Sequence, residues 1–201
     1  MCRHSKKNTE YTRYIHEQRV LHRDLKLGNM LLSHDMVIKI GDFGLACRLE
    51  DSKPGTMCGT PNYIAPEVLS KAGHGVSADV WAIGCMMFAM LCGSPPFETK
   101  SLTATYSKIS SCDYQVPASL SVEARLMIDL MLAKDPGKRG HLARPGAPND
   151  QNLFSHVFFS AGVTPARLPT AAMKTVPVLA ARHQQVGILQ CHLISISIAG
   201  L

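Results

Sequence analysis

No glycine precedes position 28, no two cysteines stand in a Cys-x-x-Cys spacing, and no apolar run is longer than the 13 residues at 80–92. Each absence excludes something. The first 27 residues hold no glycine-rich turn of the kind that cradles phosphates. The seven cysteines, an odd number without metal-type spacing, read as reduced thiols of the cytosol or nucleus rather than as a disulfide framework. The nine histidines show no zinc-type pairing either. A bilayer asks for about 20 consecutive apolar residues, so residues 80–92 read as a buried helix and no membrane contact is expected. The N-terminal residues lack the apolar stretch of a secretory signal. Lysine and arginine are scattered, no basic–aromatic motif occurs, and the net charge of +6 reads as a solvated surface, not as a nucleic-acid interface. There are no internal repeats.

What is present is the composition of a globular core, with 46% hydrophobic residues over 201 positions. Residues 10–21 read as a helix, with Tyr14, Val20 and Leu21 as core contacts. Met30-Leu31-Leu32 and Val37-Ile38-Lys39-Ile40 read as strands of a small hairpin across Ser33-His34-Asp35-Met36. Residues 46–60 contain Pro54 and two glycines and read as a mobile loop. Ser77 is the expected cap of a helix that is apolar on all sides over residues 80–92 and stops at Gly93. Leu102, Tyr106 and Ile109 share one helical face. Ser121 is the expected cap of a further helix with Val122, Leu126 and Leu130 in one stripe, closed by Asp135-Pro136. Residues 137–152 read as a loop, 153–159 as an apolar segment, and the region after Pro169 as a poorly ordered tail.

The chemistry lies in the segment His22 to Gly44. Phosphoryl transfer needs a group to orient the attacking hydroxyl, oxygen ligands for a metal, and positive charge near the transferred phosphate. Asp24 can accept the substrate hydroxyl's hydrogen bond. Lys26 can neutralise the phosphate. Asn29 and Asp42 can supply oxygens to Mg²⁺, a hard cation. Gly44 is expected to permit the turn that aims Asp42 inward. His-Arg-Asp, Lys, Asn, a hairpin, Asp-Phe-Gly and then Ala65-Pro66-Glu67 follow in the order of the protein-kinase signature set.

The stretches "HRDLKLGN", "KIGDFGLA", "CGTPNYIAPEVLSKAGH", "DVWAIGC" and "GSPPFET" closely resemble the polo-like serine/threonine kinases, and "FFSAGVTPARLP" resembles the segment closing their catalytic domain. The resemblance implies a mainly α fold, the helical C-lobe of a protein kinase with a small β-hairpin at the catalytic loop. It implies a partial kinase domain over 1–169, interrupted by an insertion at 140–149, and a tail over 170–201. It implies Asp24 as the catalytic aspartate, Lys26 as the lysine that marks serine/threonine kinases, and Thr60 as the threonine bridging both. Asn29 and Asp42 become the metal ligands, and Leu31 the floor of the adenine pocket beside Leu27 and Gly28. Thr56 takes the place of the activating phosphothreonine, its charge pairing with Arg23. Asp79 binds the backbone of the catalytic loop, and Glu67 pairs with Arg139 to hold the C-lobe together. ATP and Mg²⁺ are the implied cofactors and proteins the implied substrates. The cytoplasm and nucleus, with centrosome and spindle, are the implied location.

The family's glycine-rich N-lobe and its phosphopeptide-binding polo boxes have no counterpart in these residues. The expectation is therefore a kinase fragment inactive by itself. The alternatives are a non-catalytic binding or decoy module, or the product of a truncated transcript or gene model.

Overall fold

The computed structural model describes residues 2–34, 38–142, 152–153 and 156–160. The tail at 170–201, the domain boundary at 169 and positions 143–149 of the expected insertion lie outside the described residues, as do Asp35, Met36 and Val37 of the expected hairpin.

Helix α1 (Cys2–Glu17) buries Thr9, Thr12 and Ile15, a three-residue spacing that sets one face inward. Tyr14 lies off that face and is 57% exposed, so it is not the core contact expected from its size. The helix also ends before residue 21. Arg19 adopts φ 62°, closing the last turn, and Val20–Leu21 extends as strand β1. It pairs antiparallel with β4 (Cys47–Arg48), Val20 opposite Arg48. Both Val20 and Leu21 are buried, but as strand residues. The region 46–60 is correspondingly more than a loop, since it holds β4 and a 3₁₀ turn at Leu49–Asp51.

The expected hairpin forms between β2 (Met30–Leu32) and β3 (Ile38–Ile40), with Met30 opposite Ile40. A 3₁₀ turn (Leu27–Asn29) leads into it. A short helix α2 (Pro66–Leu69) begins at proline, whose fixed φ suits a first helical turn.

Helix α3 (Val76–Cys92) is the axis of the core, buried at every position from Ala78 to Ala89. Its cap is Gly75, not Ser77: the extended backbone at Gly75 starts the helix two residues earlier. Gly93 ends it with φ 92°, a conformation open to glycine without a Cβ penalty. Gly84 lets α5 (Val122–Met131) approach, because a Cβ there would stand 2.8 Å from Leu132 Cδ2 and 2.9 Å from Met131 Cβ.

That approach decides which face of α5 is inside. Ala124, Met127, Ile128 and Met131 are buried, whereas Val122 is 55% and Leu126 53% exposed and Leu130 is half-buried. The expected stripe of Val122, Leu126 and Leu130 is the outer face. The segment is apolar on two sides, and its packing, against α3 at Gly84 in particular, chooses between them. Ser121 does cap α5, accepting from the Ala124 N–H, but the helix stops at Met131, short of Asp135. In α4 (Leu102–Ser111), Thr105 and Ile109 are buried while Leu102 is 54% exposed.

Gly140 is packed rather than looped out. Its N–H donates to the Leu130 carbonyl, and a Cβ would fall 2.5 Å from Leu153 Cδ2. His141 pairs with Asn152 in a parallel bridge, which carries the chain to α6 (Val157–Ser160). Among the described residues no helix is long and apolar enough to cross a membrane.

Candidate active site

The site starts from one buried carboxylate. Asp79, on the first turn of α3, is 2% exposed. Its Oδ2 accepts from the His22 N–H at 2.9 Å, and its Oδ1 accepts from the Arg23 N–H at 3.0 Å. His16 Nε2 lies 2.8 Å from Oδ2. Burial alone would raise the Asp79 carboxyl, but His16 and the two backbone donors outweigh it, and the group is held below its ordinary range. An ionised carboxylate inside the core thus fixes residues 22 and 23, where Arg23 turns the chain with φ 66°.

His22 is fully buried and works as a spacer between two segments. Its Nδ1 accepts from the Asp24 N–H at 3.3 Å, which leaves the proton on Nε2, 3.1 Å from the Gly41 carbonyl. Burial lowers the imidazole pKa more than Asp79 and Gly41 raise it, in keeping with a neutral ring. The ring also packs on Phe43, with centroids 4.8 Å apart. Gly41 in turn donates to the Asn29 carbonyl at 2.8 Å. Residues 22–29 and the Asp-Phe-Gly segment are therefore joined through His22 and Asn29.

Asp24 is 8% exposed and both its oxygens are engaged. Thr60 Oγ donates to Oδ1 at 2.6 Å, and Lys26 Nζ donates to Oδ2 at 2.7 Å. Lys26 also reaches Thr60 Oγ at 2.9 Å, closing a triangle. Asn29 Nδ2 donates to the Asp24 carbonyl at 2.9 Å and to Oδ2 at 3.3 Å. Burial again raises the carboxyl, but the donors from Lys26, Thr60 and Asn29 win, so the pKa is lowered. The result is a carboxylate held ionised and in one orientation, suited to receive a hydroxyl.

The Asn29 amide nitrogen is spent on Asp24, which leaves its side-chain oxygen for a metal. Asp42 is exposed and adopts φ 60°, its Oδ1 accepting from the Gly44 N–H at 3.2 Å. The turn expected of Gly44 is made at Asp42 itself, since Gly44 is not among the glycines with positive φ. A carboxylate and an amide oxygen suit Mg²⁺, which keeps several waters and takes its other ligands from substrate phosphates. Among the described residues no group of three or more His, Cys, Asp or Glu forms an all-protein metal cage. Leu31 on β2 is half-buried and packs over Gly41, and Gly28 is exposed with open space around it.

The other residues singled out from the sequence fall into two groups. Arg139 and Glu67 meet in a bidentate pair, Nη1–Oε1 at 2.6 Å and Nη2–Oε2 at 3.0 Å. Arg139 also donates to the carbonyls of Ser77, Ala133 and Lys134, so all five of its N–H groups are used. Thr56 and Arg23 are not joined: Arg23 Nε donates to the Leu45 carbonyl at 2.6 Å, and among the described residues no hydrogen bond links the two. Thr56 without a phosphate offers no anion to draw the guanidinium.

Two residues of the site carried no signal in the sequence reading. His16 meets Asp79 from 63 positions away, a contact no local pattern announces. Gly59, with φ 107°, passes so near residue 23 that a Cβ would stand 2.7 Å from the Arg23 carbonyl oxygen. This close approach delivers Thr60 to Asp24.

Comparison with known proteins agrees with this geometry. Residues 7–154 match the family model of the protein kinase domain. The chain is 48% identical over 167 residues to serine/threonine-protein kinase PLK2 of Mus musculus, covering 82% of this chain and 23% of that protein. It is 47% identical over 166 residues to serine/threonine-protein kinase PLK1 of Xenopus laevis, covering 82% and 26%. It is 46% identical over 167 residues to serine/threonine-protein kinase plk-2 of Caenorhabditis elegans, covering 83% and 25%. The chain thus spans about a quarter of the length of the curated relatives it matches. With the Asp24–Lys26–Thr60 triangle and the Asp79 anchor in place, the matched stretch places the chain in the protein kinase family, among the polo-like serine/threonine kinases.

Proposed function

We propose that this chain is the C-lobe part of a polo-like kinase catalytic domain, in which Asp24 receives a serine or threonine hydroxyl of a protein substrate. The observation that carries the reading is the closed triangle of Asp24, Lys26 and Thr60, with every contact between 2.6 and 2.9 Å. Asp24 orients the hydroxyl and takes its hydrogen bond. Lys26, already placed beside Asp24, brings positive charge to the same point. Thr60 fixes the rotamer of the aspartate. Asn29 and Asp42 would hold Mg²⁺ through oxygen, and ATP bound with it would supply the transferable phosphoryl group. Leu31, with Leu27 and Gly28 near it, would meet the nucleotide base. A phosphate on Thr56 would draw the Arg23 guanidinium from the Leu45 carbonyl, since an ionic partner binds more strongly than a neutral one.

The 201 residues by themselves are proposed to transfer phosphate negligibly. Catalysis of this kind is positioning plus charge stabilisation, and residues 1–27 hold no glycine from which a phosphate-covering loop could be built over the site. Casein phosphorylation by the purified chain, compared with Asp24→Asn, tests this. Equal, background-level incorporation is expected. Incorporation by the native chain that Asp24→Asn abolishes would overturn the inactivity and leave the role of Asp24 standing.

A further inference from the structure

The turn at 71–74 follows α2, and none of the roles above uses it. Lys71 and Gly73 both have positive φ, 61° and 114°, so the chain doubles back there. Segment 52–60 lies against it at successive points. Ser52 Oγ donates to the His74 carbonyl at 2.8 Å. The Gly55 N–H donates to the Lys71 carbonyl at 3.0 Å. Pro54 lies on Gly73, with its Cα 3.5 Å from where a Cβ would stand. Cys58 Sγ is 3.6 Å from His74 Nε2. The very next residues are Gly59, pressed on the Arg23 carbonyl, and Thr60, bonded to Asp24. His74 also lines a cavity of about 10 Å³ together with Arg23, Asp24, Thr60 and Asp79.

We propose that the turn at 71–74 is a clasp that fixes segment 52–60 on the catalytic loop, and that His74 is the positioning residue for Thr60. The contacts support it: three polar contacts hold the segment immediately upstream of Thr60, Pro54 passes close over Gly73, and none of this needs a phosphate on Thr56. His74 serves at two points, its carbonyl holding Ser52 and its ring holding Cys58. The segment is therefore pinned at both ends by one residue. Burial lowers the His74 pKa, so the ring stays neutral around pH 7 and is free to take either role toward the thiol. The proposal rests on the reading of Asp24 and Thr60 as site residues, but its test does not use turnover.

Hydrogen exchange on the full chain tests the clasp, with peptides from 52–60 read against peptides from 80–89. In His74→Ala, exchange in 52–60 is expected to rise about tenfold, as befits the loss of one ordering hydrogen bond from a surface segment, with 80–89 unchanged. His74→Gln, which keeps a ring-like N–H reach and the same backbone carbonyl, is expected to restore most of the protection. Ser52→Ala is expected to raise exchange at the start of the segment alone. Unchanged exchange in 52–60 for His74→Ala overturns the clasp, as does an equal rise in 80–89, which would make His74 a general stability residue. Failure of His74→Gln to restore protection overturns the positioning role of the ring. Unmoved exchange in 52–60 sinks the clasp without bearing on Asp24, and exchange that moves as expected leaves the clasp standing even where Asp24 proves to have no part in phosphate transfer.

Discussion

Removing Glu67 should expose how much the fold depends on a single arginine. Arg139 has a side chain with 0% exposure, and Glu67 is 12% exposed. In Glu67→Ala the guanidinium keeps its bonds to the Ser77, Ala133 and Lys134 carbonyls but loses both charged ones, so a buried cation is left without a counter-ion. Breaking a buried pair in this way costs about 3–5 kcal/mol, a large part of the 5–15 kcal/mol that holds a typical domain together. With a urea slope of about 2 kcal/mol per M, the unfolding midpoint should fall by about 2 M. Arg139→Lys separates geometry from charge. An ammonium has three donors against five and no planar fork, and it cannot lie over Trp81 as the guanidinium does at 5.0 Å. That variant keeps the charge and should still lose more than half as much stability as Glu67→Ala. The assay is urea unfolding followed by far-UV circular dichroism. A loss under about 1 kcal/mol for Glu67→Ala, the value of an exposed ion pair, would refute the reasoning. So would an Arg139→Lys variant as stable as the native chain.

Two further outcomes follow from packing and protonation. On α5, Met127→Ala should cost about 2–5 kcal/mol and Leu126→Ala less than about 0.5 kcal/mol, since the first is buried and the second is 53% exposed; comparable losses in thermal unfolding would return the helix to the opposite face. Acid should destabilise in two stages. His22, His74 and His156 have pKa values lowered by burial, so the unfolded chain binds their protons first, and stability falls as pH drops below about 6.5. Asp24 and Asp79 have lowered values, so their contribution is present above about pH 4 and is lost as pH falls through their folded values. Urea midpoints across pH 3–8 should show both limbs, and Asp79→Asn should flatten the lower one. A midpoint constant down to pH 4 would contradict the first stage.

The sequence was most legible where contacting residues lie within a short segment. Asp24, Lys26 and Asn29 sit on one loop, and the hairpin that returns the chain to Asp42 has a simple two-strand pattern, so the assembly of this half of the site was legible. Long-range partners were legible only through resemblance, as with Thr60, Glu67 and Arg139. His16 and the turn at 71–74 were not legible at all, because their contacts depend on where α3 and α2 place them. The misplaced faces share one cause. Tyr14, Leu102, Val122 and Leu126 are large and apolar, but large apolar residues are common on surfaces, and the inward face was taken by smaller or polar residues such as Thr9, Thr12, Thr105 and Ala124. The strand at 20–21 was hidden inside the expected helix because its partner, Cys47–Arg48, lies in a segment with no strand signal of its own.

The claim that Asn29 and Asp42 form the oxygen side of a metal site is tested most directly with Mn²⁺ in place of Mg²⁺. In ¹H–¹⁵N spectra of the chain at millimolar Mn²⁺ with ATP, the paramagnetic ion should broaden the Asn29 side-chain amide and the backbone signals of residues 41–44. Asp42→Asn should sharply reduce the effect without altering the signals of 80–89. Broadening centred elsewhere, or broadening that persists undiminished in Asp42→Asn, would contradict the site.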